Sequence, residues 1–203
     1  MSNGTDQSRK LGVVILCGGQ SRRFGSPKAA VLVEGLPLVE RTGIIAEKLT
    51  SRLVLVGNLP DSLPTTGKRI SDLEPGGGPL QGLLAGAAHF PGADLLVLST
   101  DLPLLTVAHL KALLEVPANA LVYFTSNRGQ PSPLPAFYRR EVMNTLIAAH
   151  EKGIRSLFRA LHGVETACLQ EETLQEEGLD PRGFYDFDTP ADWEQLASIL
   201  RAK

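Results

Sequence analysis

Cysteine is nearly missing from this chain: Cys17 and Cys168 are the only two in 203 residues. Two isolated thiols form neither a disulfide framework nor a C-x-x-C zinc pair, and they point to a reducing compartment, the cytoplasm. An excess of charge of one sign is lacking too. Twenty Lys and Arg face 22 Asp and Glu, a net charge of −2, so no basic field exists for nucleic acid. No apolar run reaches the ~20 residues of a membrane span. Residues 1–10 are polar throughout, which excludes a signal peptide or anchor in that stretch and predicts a disordered tail. What remains is 43% hydrophobic, enough for residues 11–203 to bury one full core as a single domain.

Val13, Val14, Ile15 and Leu16 form a continuous apolar run that reads as a strand buried on both faces, and it stops at Gly18-Gly19. The glycine pair lets the backbone turn sharply and bring its N–H groups to a ligand, while Arg22, Arg23 and Lys28 put three cations in one short loop. Such a loop suits an anion with several charges, and a nucleoside triphosphate is the natural candidate. Two common phosphate motifs are absent. A Walker loop needs four residues between its glycines and then Gly-Lys-Ser/Thr, whereas Gly19 and Gly25 are separated by five and Lys28 precedes Ala29. The G-x-G-x-x-G dinucleotide spacing is not met either.

A second informative stretch joins Asp72, at the end of a weak short strand (residues 68–72), to Gly76-Gly77-Gly78-Pro79. The glycines expose backbone amides just before a helix that runs to about His89, with Pro79 at its first position. A purine base or ribose can lie against that backbone, with Asp72 accepting hydrogen bonds from its donors. The competing reading is a flexible turn with Asp72 as a cap. Residues 93–100 then form a third buried strand that delivers Asp101-Leu102-Pro103 at its carboxyl end, where ligands bind in open α/β sheets. A carboxylate there suits Mg²⁺ arriving with phosphates, although an Asp before Leu-Pro also serves as a turn former.

Taken together, these loops resemble the molybdenum cofactor guanylyltransferase family, nucleotidyltransferases that form molybdopterin guanine dinucleotide. The likeness spans about residues 12–195. It rests on Leu16-x-Gly18-Gly19-x-Ser21-x-Arg23-x-Gly25-x-x-Lys28, on Asp72 followed by Gly78-Pro79-Leu80-x-Gly82, and on Asp101-x-Pro103. It implies an α/β fold: a single doubly wound, mainly parallel sheet, nucleotide-diphospho-sugar transferase-like and Rossmann-type. It also implies transfer of GMP from GTP to the terminal phosphate of molybdopterin, with pyrophosphate leaving. Under that resemblance Asp101 is the Mg²⁺ ligand, and Arg23 and Lys28 are the catalytic cations at the triphosphate. Leu16, Cys17, Gly18, Gly19, Lys28, Asp72, Gly78, Pro79, Leu80 and Asp101 hold the nucleotide, and molybdenum cofactor-handling proteins are further candidate partners. Cytidylyl-transferring relatives look like Leu-Ala-Ala-Gly in the first loop and lack Gly-Pro-Leu in the second, so this chain favours guanine. A phosphate nucleophile is already ionised near pH 7, so the reaction requires no His or Glu base.

The chain departs from the family pattern near its end. Where the family has Asn-x-Asn-Thr-Pro, this sequence reads Asp186-Phe187-Asp188-Thr189-Pro190, replacing amide donors by acceptor-only carboxylates and putting any phosphate contact there in doubt. Pro27 also stands before Lys28 where the family more often has Asp. Locally, Thr189 as N-cap, Pro190 at N1 and Asp192 at N3 predict a helix start without any ligand.

Elsewhere the pattern predicts a short extended piece at 31–37, a helix at 38–49 and a strand at 52–57. A helix at 106–115 capped by Thr106 follows, then a strand at 120–125. Two helices at 139–150 and 154–161, broken at Gly153, lead to a strand at 164–169 and an acidic connection at 170–182. Residues 127–138 carry Pro131, Pro133 and Pro135, too many for a central strand, and read as an edge hairpin or open segment. Arg128, Arg155 and Ser156 are candidates to touch the acceptor, with a solvated surface as the competing reading. Three alternatives stay open on sequence: another phosphorylated acceptor such as a sugar phosphate or phospholactate, CTP as donor, or nucleotide binding without turnover.

Overall fold

The computed structural model describes residues 11–17, 28–72 and 77–201. The expected tail at 1–10 lies outside the described residues, as do Gly18, Gly19, Arg22 and Arg23. The first half of the chain runs β1 (Leu11–Leu16), β2 (Leu32–Val33), β3 (Leu36–Pro37), α1 (Leu38–Glu47), β4 (Leu53–Val56), β5 (Lys68–Ile70), α2 (Pro79–His89) and β6 (Asp94–Ser99). The second half runs α3 (Val107–Leu114), β7 (Val122–Asn127), β8 (Gln130–Tyr138), α4 (Met143–Glu151), α5 (Leu157–Ala160), β9 (Thr166–Leu169), α6 (Glu171–Glu176) and α7 (Pro190–Arg201).

Seven strands make one sheet in the order β5-β4-β1-β6-β8-β7-β9, and every neighbouring pair is parallel except the two that involve β8. The chain steps outward from β1 to β4 and β5, then crosses back to place β6 on the other side of β1. Successive side chains of a strand point to opposite faces, and each face is covered. Val14, Leu16, Val54, Val56, Leu95 and Val97 join one core with Leu80, Leu83 and Leu84 of α2 and Leu146 of α4. Val13, Ile15, Leu53, Leu55, Leu96 and Leu98 join the other with Val39 and Ala46 of α1 and Leu110 and Leu113 of α3. Both-sided burial is why the central strands read as unbroken apolar runs, each such side chain stabilising the fold by ~1.5–3 kcal/mol. Among the described residues no helix is long and apolar enough to cross a membrane.

Two features of this packing set up the site. A Cβ on Gly82 would lie 2.8 Å from Leu16 Cδ2, and one on Gly86 would lie 2.7 Å from Val14 Cγ1. These glycines, one helical turn apart, let α2 approach β1 closely and hold its first turn beside the carboxyl end of that strand. Gly82 therefore has a packing role independent of any ligand. A third, smaller cluster of Val33, Leu38, Leu104, Phe187 and Leu196 ties the β2–β3 hairpin, α1, the loop after β6 and α7 together.

The proline-rich segment corrects one expectation. Residues 130–138 form a nine-residue strand inside the sheet, between β6 and β7. Only Ala136, Phe137 and Tyr138, which contain no proline, pair with β6. Pro131 pairs with β7 alone, and Pro133 and Pro135 fall where the β7 register shifts between Phe124 and Thr125. The prolines thus occupy an overhanging edge and a bulge, the places a sheet tolerates them. The helix expected at 154–161 is a single turn, and the acidic connection contains α6.

Candidate active site

In an open α/β sheet the crevice for ligands lies outside the carboxyl ends of strands where the winding reverses, here β1 and β6. Leu16 closes β1, and the Cys17 N–H donates to Val56 O at 2.7 Å. The Cys17 thiol is buried, 3.5 Å from Ile15 O, and burial pushes its pKa up to about 12. It is a neutral packing group at physiological pH, so any contact from this position to a nucleotide is made by the backbone.

Lys28 begins a short 3-10 turn (Lys28–Ala30). Its Nζ forms an ion pair with Asp188 and lies 3.5 Å from Asp101 Oδ2. Burial works against its charge, but the hydrogen bonds and charges of Asp188 and Asp101 outweigh that penalty and raise its pKa above the ordinary lysine value. Asp101 follows β6 by two residues, and its main-chain oxygen accepts from Phe187 N at 3.2 Å. The other carboxylate oxygen, Oδ1, is buried and has no hydrogen-bond partner among the described residues. A buried oxygen with formal charge and no donor is costly unless a cation or donor arrives with the ligand.

Across the crevice, Asp72 stands just past β5, and burial raises the pKa of its carboxyl. Its Oδ1 lies 3.4 Å from where a Cβ on Gly82 would be, against the first turn of α2. Gly78 caps that helix at φ 81°, ψ 179°, a conformation that a side chain would strain, and Pro79 occupies N1. Leu80 is fully buried and anchors the turn in the core. The first N–H groups of such a helix have no intrahelical partners, so Gly78 and Pro79 open a turn suited to an anion or a polar ring edge.

The two aspartates that replace family asparagines have separate partners. Asp186 Oδ1 accepts from Asn127 Nδ2 at 2.9 Å, and its carbonyl accepts from Arg128 Nη2 at 3.2 Å. Arg128 also pairs with Asp192 at 2.7 Å. Asp192 in turn accepts from Thr189 N at 2.8 Å and Asp188 N at 3.1 Å, while its own N–H donates to Thr189 Oγ1 at 3.2 Å. This is the capping box expected from Thr189-Pro190-x-Asp192. Burial alone would raise the Asp192 pKa, but Arg128 and these donors hold it well below the usual carboxylate range. The β7–β8 hairpin tip thereby fixes the 186–189 segment, and that segment carries Asp188 to Lys28.

The structure thus brings Lys28 and Asp101 together, and separately Asp72, Gly78, Pro79, Leu80 and Leu16. Arg128 is engaged in the hairpin clamp, and Ser156 caps α5 by accepting from Arg159 N at 3.4 Å. Arg155 is exposed, and its carbonyl lies 3.4 Å from where a Cβ on Gly78 would be. The residue that sequence reasoning undervalued is Asp188. Its signal was present, a family motif position with a changed charge, but only the fold shows Lys28 as its counter-ion.

Residues 13–165 match the model of the MobA-like NTP transferase domain. The chain belongs to that family. As a member of the MobA-like family it is a nucleotidyltransferase. It is 33% identical to a probable molybdenum cofactor guanylyltransferase of Bacillus subtilis, over 90% of this chain and 92% of that protein. A probable molybdenum cofactor guanylyltransferase of Chloroflexus aggregans is 30% identical over 92% of this chain and 93% of its own length. Among solved structures, molybdopterin-guanine dinucleotide biosynthesis protein A of Archaeoglobus fulgidus superposes with a TM-score of 0.74 at 23% identity, covering 95% of this chain and all of that one. The MobA-like fold agrees with the doubly wound, mainly parallel sheet described above.

Proposed function

We propose that this member of the MobA-like family transfers GMP from GTP to the terminal phosphate of molybdopterin, working in the cytoplasm, with molybdenum cofactor-handling proteins as candidate partners. The observation that carries this reading is the Lys28–Asp101 pair just beyond the carboxyl end of β6, with Asp101 Oδ1 buried and without a hydrogen-bond partner among the described residues. A phosphate oxygen of the acceptor attacks the α-phosphorus of GTP, and the bond to pyrophosphate breaks. Because that nucleophile is already anionic, the protein's task is to position two anions and offset their charge. Lys28, with Arg23 and the backbone of Gly18 and Gly19, is assigned to the triphosphate. Asp72 and the Gly78-Pro79-Leu80 turn are assigned to the guanosine.

The free oxygen of Asp101 fits a hard divalent cation. Asp101 would hold Mg²⁺ there, and the ion when bound neutralises charge on the phosphoryl oxygens. The test is to supply each nucleoside triphosphate with Mg²⁺ and molybdopterin and to follow pyrophosphate release. Release that requires both GTP and molybdopterin supports the proposal. Release with CTP, or only with another phosphorylated acceptor, replaces it, and binding without release makes the chain a nucleotide sensor.

A further inference from the structure

Gln81, the third residue of α2, is 1% exposed, and neither Oε1 nor Nε2 has a hydrogen-bond partner among the described residues. An amide buried in that state is less favourable than an apolar side chain of equal volume, and such groups are rare in folded proteins. A partner supplied by a ligand accounts for it. Its location agrees. Gly77 is buried, and a Cβ on Gly77 would fall inside the Gln81 carboxamide, so the amide fills the space a side chain at 77 would take. The next residue along the helix, Gly82, faces Leu16 and the Asp72 carboxylate. Gln81 thus belongs to the same first turn of α2 that carries Gly78 and that packs, through Gly82, against Leu16 and Asp72.

We propose that Gln81 is a specificity-determining residue that reads the 6-position of the purine, its Nε2–H donating to guanine O6. The inference rests on the reading of Asp72 and Gly78 as the base pocket. The two side chains divide the guanine edge by chemistry. Asp72, an acceptor only, takes the N1–H and N2–H donors, and Gln81 supplies the donor that O6 needs. An amide alone could turn its oxygen toward the 6-amino group of adenine. Asp72 would then face the N1 acceptor of adenine, so the pair rejects adenine where either group alone would not.

The experiment measures dissociation constants of GTP, ITP and ATP by titration calorimetry for the wild type, Gln81→Leu and Gly77→Ala, with a thermal melt of each ligand-free protein. ITP keeps O6 and N1–H but lacks the 2-amino group. The wild type is expected to bind GTP at least tenfold tighter than ATP. Gln81→Leu should weaken GTP and ITP together by about tenfold, about 1.4 kcal/mol, leaving the GTP/ITP ratio and ATP affinity unchanged. Its ligand-free melting temperature should equal or exceed that of the wild type, because a stranded amide has been removed. Gly77→Ala, which places a methyl where the amide lies, should lose the same discrimination and serves if Gln81→Leu fails to fold. Wild-type discrimination retained in both variants would overturn the role of Gln81 while leaving the base pocket standing. A lower melting temperature with an unchanged GTP/ATP ratio would make the amide structural. No GTP preference in the wild type would overturn the pocket and this inference together.

Discussion

Lys28→Met tests the centre of the site, since Met keeps the apolar stem and deletes only the charge. In the folded protein Lys28 is the shared counter-ion of Asp101 and Asp188, so its loss costs stability as well as ligand affinity. The Asp188 side chain is 50% exposed, so that pair contributes about 1 kcal/mol at most. The Lys28 and Asp101 side chains are 22% and 21% exposed at 3.5 Å, and after desolvation that pair is worth roughly another 1 kcal/mol. Folding should weaken by about 1–2 kcal/mol. A charge-assisted phosphate contact is worth about 1.5–3 kcal/mol, so the GTP dissociation constant should rise roughly 10- to 150-fold.

The pH dependence separates the charge from the packing. Because the folded pKa of Lys28 is raised, its stabilisation is fully present below the unfolded lysine value of ~10.4 and is lost as pH rises through the higher folded value. Urea melts of wild type and variant should therefore differ by a constant gap from pH 7 to about 9.5, and the gap should close above the folded pKa. A gap that persists unchanged at pH 11.5 would refute the electrostatic account. An unchanged GTP affinity would remove Lys28 from the triphosphate site.

Asp101→Ala should retain its circular dichroism spectrum yet lose at least 100-fold in kcat, about 2.7 kcal/mol, with KM for GTP changed less than fivefold; a kcat within tenfold of wild type would make Asp101 a turn former. Gly86→Ala should lower stability by about 1–3 kcal/mol through collision with Val14, read as a fall of several degrees in Tm; an unchanged Tm would mean that α2 shifts freely on β1. Asp192→Asn should destabilise by about 1–2 kcal/mol at pH 7. Because the folded Asp192 pKa is lowered, its contribution is present above the unfolded value of ~3.9 and fades as pH falls through the folded value. Acid titrations of stability should show the two proteins converging below about pH 4, and a gap that does not narrow there would point to packing rather than charge.

Much of the fold was legible because the central strands are buried on both faces. Val13 to Leu16 and Leu95 to Leu98 carry no polar interruption to confuse their periodicity, and the turn chemistry at Thr106, Thr189 and Pro79 is local. What escaped the sequence is non-local. The β8 prolines mark an edge only if one knows that β6 stops pairing at Ala136, and a one-dimensional pattern does not contain the length of the neighbouring strand. Gln81 carried no signal in the sequence, and its burial against Gly77 appears only in the fold. Asp101 was identified by the end of its strand and Lys28 as a cation of the glycine loop, but the 3.5 Å between them appears only in the fold.

The paired replacement of asparagine by aspartate looks, in sequence, like one change repeated, and the structure divides it into two. At 186 the new carboxylate accepts from Asn127, a neutral donor on a hairpin tip already held by Arg128 and Asp192, so the charge is used within the scaffold and keeps the segment in place. At 188 it meets Lys28 directly. Of the described groups at that point, two carboxylates share one ammonium, a formal charge of −1 over the three side chains. A phosphate that takes Lys28 has to displace a carboxylate from it, so Lys28 would exchange one acidic partner for another when a nucleotide binds. Asp188 therefore competes with a phosphate for Lys28 more strongly than an asparagine at the same place would, because an amide carries no charge to pair with the ammonium.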